Sequence, residues 1–434
     1  MLLHLQFHDT LPGSSITPVY EDVKQEFAAF FQKQEALFAT VLEDLTAATG
    51  CNGPVYWNFL SWPRTASEEE GVVTVPPMGW TDQKQCASGL TVTESLMENK
   101  FFRMELDGEG RITSLILKEN GRELMRQPGN VLQLFEDPGR EALSAWDIYP
   151  EYMNKETVLH GEGVQEVRVG KTRGSVRLRW SFGRSTVTQD VVIYSDTPRI
   201  DFVTHADWQE DMRLLKAAFY PEIHANTASY EIQFGAIQRP THRNTEYDAM
   251  RFEASGHKWA DLSQTDVGLS ILNDCKYGYD MLDGHMRITL LRAPIEPDYR
   301  ADRGEHDFTY SLYPHAGSWQ QGGTVQAGFE LNEPVHCCEV RAGQALVPRE
   351  FIRVEHSSVV VDTFKQAENG DGYILRLYEA CGAGGPVTVR FGKNIQKLSV
   401  CDLMEQNDEP AVFEEDRFSF QTSPYCIHTY RISF

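Results

Sequence analysis

The stretch Phe101-Phe102-Arg103-Met104-Glu105-Leu106, Asp107-Gly108-Glu109-Gly110, Arg111-Ile112-Thr113-Ser114-Leu115 reads as a β-hairpin, with the Gly-containing acidic segment as its turn. The same texture runs on through 166–169, 176–180, 186–193 and 200–203, each a short strand-like run. Strands at this spacing with no helices between them mean an antiparallel sandwich. The span from about 95 to 318 is too long for a small sandwich and predicts a large two-sheet one. From about 325 short strands resume, at 358–361, 373–378 and 387–391, and predict a second, smaller sandwich.

N-terminal to the hairpin the pattern changes twice. Val55-Tyr56-Trp57-Asn58-Phe59 and Gly71-Val72-Val73-Thr74-Val75 are strand-like. Residues 17–48 instead predict one long helix, with Thr17 as N-cap and Pro18 at the first helical position. Val19, Val23, Phe27, Phe30, Leu37, Val41 and Leu45 fall on one face. Gly50 and the Cys51-Asn52-Gly53-Pro54 turn end it. Such a stripe needs other helices, and residues 1–9 supply only part of one. The expected division is 1–50 as part of a helical module, 51–94 as a small β segment, 95–320 as the large sandwich and 321–434 as the small one. Segment 51–94 is free to complete the C-terminal sandwich.

The 434 residues suffice for about three domains at roughly 150 residues each. The net charge of −23 repels phosphate backbones and anionic headgroups, so nucleic acid and membranes are excluded as partners, while a neutral sugar is compatible. The eight cysteines include no CxxC pair, which points to free thiols in a reducing cytoplasm. No run of 18 apolar residues predicts a membrane span, and the first residues lack the features of a signal peptide.

Chemistry concentrates in Gln6-Phe7-His8-Asp9-Thr10-Leu11-Pro12-Gly13-Ser14-Ser15. A His-Asp pair followed by Pro-Gly is a helix end running into a turn. Neutral imidazole is a good metal ligand, and an adjacent carboxylate can orient it. A lone His-Asp pair is more often a cap or surface feature. His4, four residues before His8, could share its helix face. Three polar turns could meet sugar hydroxyls: Arg239, His242, Arg243 and Asn244; Asn273, Asp274, Lys276 and Tyr277; and Arg303, Glu305 and His306. The alternatives are loops held by their own polar contacts and a salt-bridged strand entrance. Trp62, Trp146, Trp208 and Trp259 are stacking platforms or core. Phosphate-loop, Ser-nucleophile-elbow and HExxH motifs are absent from the sequence.

QFHDTLPGSSI resembles the helical-domain motif of glycoside hydrolase family 38 α-mannosidases. NFLSWPR (58–64), GNVLQLFEDPGREALSAWDI (129–148), FGAIQRPTHRNTEYD (234–248), HKWADLS (257–263), GLSILNDCKYGYD (268–280) and GEHDFTYSLYPH (304–315) also resemble that family's C-terminal half. The resemblance covers residues 1 to roughly 320. It implies a mainly β fold in which a short helical segment precedes a galactose-mutarotase-like super-sandwich and smaller β-sandwich domains. It implies retaining hydrolysis of α-mannosides, with His8 as a zinc ligand and Asp9 orienting the site or touching substrate. Family members carry a preceding domain that supplies the nucleophile, the acid/base and the other zinc ligands, and no such domain precedes Met1. Zinc binding is therefore expected of the intact enzyme, and the chain alone is expected to be inactive. The expected partners are an α-mannoside or manno-oligosaccharide and an upstream-encoded catalytic polypeptide, with homo-oligomerisation left open. Residues 1–16 are expected to fray or rearrange without their neighbours. Two rivals remain: a non-catalytic carbohydrate-binding module, and a scaffold or oligomerisation subunit docking through the face of helix 17–48.

Overall fold

In the computed structural model, strands Phe102–Leu106 and Ile112–Leu117 pair antiparallel as the hairpin predicts. Asp107 closes the turn: its Oδ1 accepts the backbone N–H groups of Glu109 and Arg111, both at 2.9 Å. Gly110 sits at φ +83°, and a Cβ there would collide with Leu178. The structure describes residues 2–87, 89–137 and 144–434. Part of the 129–148 motif, residues 138–143, lies outside them.

The hairpin belongs to an eleven-stranded antiparallel sheet. Its main path runs from Ala254–Ser255 through Gly278–Leu282, His285–Arg292, Arg213–Pro221 and Met125–Glu136 to the hairpin and Leu96–Glu98. A second sheet orders Val164–Val169, Arg173–Phe182, Ser185–Tyr194, Ile200–Trp208, Gly304–Ala316, Val267–Asn273 and Trp259–Ser263 as neighbours. Alternate residues of Ser185–Tyr194 are buried, as a strand with one face on a core requires. The two sheets meet at Phe202, Phe219 and Tyr310, with ring centroids 4.9–6.4 Å apart. This makes the large sandwich of the first compact unit, which comprises Met1–Ala39, Ser88–Ala228 and Arg239–Gly322.

That core carries a polar network. Tyr310 donates to Asn130 Oδ1 at 2.7 Å, Asn130 donates to Gln189 Oε1 at 2.8 Å, and Gln189 donates to Thr204 Oγ1 and to the Tyr310 hydroxyl. Asn130 sits at φ +56°, where the register of its strand shifts. Asn tolerates this conformation better than most residues.

The second unit comprises Thr40–Ala87, Ser229–Gln238 and Gly323–Phe434. Its largest core packs Ile352, Leu375, Leu377, Val387, Val389 and Ile432 between a three-stranded and a five-stranded sheet. A smaller core joins Leu42, Val55, Trp57 and Trp80, where Trp57 Nε1 donates to Thr46 Oγ1 at 3.0 Å.

Helix Thr17–Ala47 forms where the periodicity predicts, but only Leu42 and Thr46 along it are buried. Residues 31–41 are exposed on every side. Thr17 is not the N-cap. It is the first helical residue, and its hydroxyl donates to Asp298 Oδ1 at 2.5 Å.

Replacing Phe202 with Ala empties a fully buried site and should cost about 3–5 kcal/mol of stability. Val203→Ala, next along the same strand but 46% exposed, should change stability by less than about 0.5 kcal/mol. Equilibrium denaturation checks both; equal losses would contradict the assignment of faces.

Candidate functional site

A four-residue helix, Leu2–Leu5, precedes the His-Asp motif and ends before it. His4 and His8 therefore do not share a helix face. The chain tightens into turns there, with Phe7 N–H donating to His4 O and Thr10 N–H to Phe7 O. His8 Nε2 lies 3.3 Å from Asp9 Oδ2, and the imidazole is 71% exposed. Phe7 packs against the His8 ring, with centroids 4.3 Å apart. Ser14 donates to Asp9 Oδ1, and the Tyr20 hydroxyl donates to Asp9 O while accepting Ser15 N–H. Helix Thr17–Ala47 thus reaches back over the turn that presents His8.

The turn is tied to the large sandwich through the 296–300 loop. Buried Asp298 takes the Thr17 hydroxyl and also accepts Arg300 N–H at 3.0 Å, while Arg300 pairs with Glu21 at 2.6 Å. Glu296 O accepts from Ala145 N–H and Ser144 Oγ, which brings in the 144–155 segment.

Tyr152 fixes that segment to the sheet beneath. Its ring packs edge-on against Phe135 at 5.2 Å, and its hydroxyl donates to Glu253. Glu253 also pairs with Lys216, which is fully buried. Lys216 Nζ lies 3.6 Å from Asp280 Oδ2, and Asp280 also binds Arg287 and, at 3.0 Å, His285. Lys216 and Arg287 thus meet two carboxylates, as buried charged groups require. Burial opposes ionisation of Asp280, but His285, Lys216 and Arg287 outweigh it and hold the carboxyl well below the usual range. Burial, reinforced by Glu253 and Asp280, pushes the Tyr152 phenol far up.

Of the first polar turn, Arg243 donates to Met153 Sδ at 3.1 Å and so joins this assembly. Arg239 donates to Ser255 O at 2.9 Å. His242 Nδ1 lies 3.7 Å from Asp248, and Asn244 N–H donates to His242 Nδ1. The other two turns lie along the second sheet. Asn273 is buried, donating to His257 O and Tyr279 and accepting Lys276 N–H. Asp274 accepts Thr309 N–H, Lys276 lies over the Phe308 ring, and Tyr277 stacks on His257. Arg303 pairs with Asp211, Glu305 with His205, and His306 contacts Asp302 O. Trp208 and Trp259 are core, Trp62 is half-buried and Trp146 is 57% exposed.

The Tyr152–Glu253–Lys216–Asp280 network escaped the sequence reading. A signal for it exists: Lys216 interrupts Leu214-Leu215-Lys216-Ala217-Ala218-Phe219, an otherwise apolar strand. A lysine there must find a buried carboxylate.

The His8–Asp9 pair has the right chemistry for part of a metal shell, but zinc takes about four ligands. Among the described residues, no group of three His, Cys, Asp or Glu side chains is placed to hold a metal ion. The described residues do not by themselves make a zinc site.

The signature of the "Glycosyl hydrolases family 38 C-terminal domain" matches residues 97–300, and that of the "Glycosyl hydrolases family 38 C-terminal beta sandwich domain" matches 358–430. The chain belongs to glycosyl hydrolase family 38, and the domains recognised in it are the C-terminal ones. It is 33% identical to human alpha-mannosidase 2C1 over 98% of its own length and 44% of that protein's. It is 30% identical to Dictyostelium discoideum alpha-mannosidase G over 99% of its own length and 47% of that protein's. The chain thus spans about half the length of the curated relatives it matches. An alpha-mannosidase from Enterococcus faecalis V583 superposes with a TM-score of 0.82 over the whole chain and 62% of the other, at 13% identity, which shows the shared fold.

Asp298→Ala should free the Thr17 hydroxyl and cost about 1.5–3 kcal/mol locally. Hydrogen exchange of amides 14–20 should then speed up at least about tenfold; unchanged exchange would show that the turn is held otherwise. Asp280→Asn should cost about 3–5 kcal/mol at pH 7, because buried cations lose their counter-charge. A carboxyl held low stabilises above its unfolded value, about pH 4, and loses that contribution as pH falls through its folded value. The gap between wild type and variant in chemical denaturation should therefore narrow as the pH drops below about 4.

Proposed function

We propose that this chain is the C-terminal part of a zinc-dependent retaining α-mannosidase acting in the cytoplasm, and that it is inactive by itself. The observation that carries this reading is the exposed His8–Asp9 pair, on a turn anchored by Thr17 and Asp298 to the large sandwich of a family 38 chain. His8 is one zinc donor in this scheme. Asp9 orients the site or meets a substrate hydroxyl, and the 239–244 loop, with Arg243 against Met153, borders the substrate path. The remaining ligands and both catalytic carboxylates of a retaining glycosidase belong to a polypeptide corresponding to the relatives' other half. That polypeptide covers the His8 turn and the exposed helix side chains Phe31, Leu37 and Phe38. Free thiols at all eight cysteines suit a reducing compartment. Among the described residues no helix is long and apolar enough to cross a membrane.

The test is release of an aryl group from an aryl α-mannoside with zinc present. The chain alone should give none, and mixing it with a polypeptide spanning the relatives' other half should restore turnover. His8→Ala in the mixture should lower kcat/KM at least about a hundredfold. Turnover by the chain alone, or an indifferent His8→Ala, would refute the assignment.

A further inference from the structure

The second unit holds a cleft of about 330 Å³ that the His8 site does not use. Trp62, Pro63, Pro77, Arg353, Glu355 and His356 line it. Its size lies within the range of small-molecule sites, which combine apolar walls with a few placed polar groups.

The apolar wall is fixed. Trp62 Nε1 donates to Glu330 Oε1 at 2.9 Å, and the indole packs edge-on against Phe329 at 5.7 Å. Both partners ride on helix Thr324–Asn332. The ring is half-buried, so it is held in orientation and still reaches the cleft.

The polar groups are also oriented, each with one atom to spare among the described contacts. Glu355 Oε1 takes Arg390 Nε at 2.6 Å and leaves Oε2. His356 Nδ1 faces Ser358 Oγ at 3.0 Å and leaves Nε2. Arg353 spends Nε and Nη2 on Glu350 and leaves Nη1. The cleft therefore offers a donor, an acceptor and a group able to be either, beside a rigid aromatic wall. A pyranose matches that set. Its hydroxyls both donate and accept, and its C–H face is apolar.

We propose that this cleft is a pyranose-binding site, with the sugar face against Trp62 and its hydroxyls meeting Glu355, His356 and Arg353. The cleft's chemistry stands apart from the α-mannosidase reading; only the choice of mannose as first probe rests on it.

The test is calorimetric titration of the full chain with methyl α-mannoside, methyl α-glucoside and methyl α-galactoside, alongside saturation-transfer NMR. At least one should bind with a dissociation constant of roughly millimolar. Trp62→Ala and Glu355→Ala should each weaken it about tenfold, while His8→Ala leaves it unchanged. Glu355 is exposed and its loss leaves the fold intact, so Glu355→Ala decides the matter if Trp62→Ala fails to fold. Preference for a glucoside or galactoside supports the cleft and leaves the α-mannosidase reading untouched, since the His8 site takes no part in it. Three flat titrations, binding indifferent to Glu355→Ala, or binding lost with His8→Ala would each overturn the proposal.

Discussion

The ammonium of Lys216 is the constraint around which the candidate site is arranged. Inside a packed sandwich an unpaired cation is too costly to keep, so carboxylates must come to it. Asp280 reaches it from a strand two places along the sheet, and Glu253 from the segment after the 239–244 loop. Glu253 then captures Tyr152, and Tyr152 holds the 150–154 turn against Phe135. From there the path runs by Ser144 and Ala145 to Glu296, by the same loop to Asp298, and by Thr17 to the turn bearing His8. A buried charge thus specifies where irregular segments lie, which apolar packing alone would leave loose.

A second buried polar set acts on the sandwich core. The bonds joining Asn130 to Gln189 and Tyr310 cross between the sheets, and slipping one sheet against the other would leave them unpaired. Unpaired buried amides and hydroxyls each cost about 1–3 kcal/mol. The hydrophobic faces of the two sheets would tolerate several offsets; this set selects one. The left-handed conformation at Asn130 and the register shift beside it are what let that side chain turn inward.

The regular elements were legible because their signals are local. The 101–115 hairpin follows from alternation and an Asp-Gly turn, and helix Thr17–Ala47 from its period. The family was legible from long motifs in order. The division of labour among polar residues was not. Asn273 sits in a motif like Arg243 does, but it is fully buried and serves the strand beside it. Trp208 and Trp259 are likewise core, each on a strand of the second sheet, where Trp146, in a turn, is exposed. Thr17 looked like a cap because caps are judged from neighbours in sequence. Its partner lies 281 residues away.

The edge bearing His8 combines two properties that belong together. Its donor pair falls short of a zinc shell, and the helix that follows leaves Phe31 52% and Leu37 66% exposed. Separately, a surface His-Asp pair is ordinary, and so are scattered apolar side chains. Here one continuous segment carries both, the His-Asp pair and, further along, a helix with Phe31, Leu37 and Phe38 exposed. A metal site that must polarise a sugar is enclosed and shielded from bulk water, so whatever completes the ligand set must also cover the surface around it. On the function proposed above, burying these side chains and completing a coordination shell are one event. Within that scheme each phenylalanine covered strengthens the hold on the polypeptide that brings the missing donors.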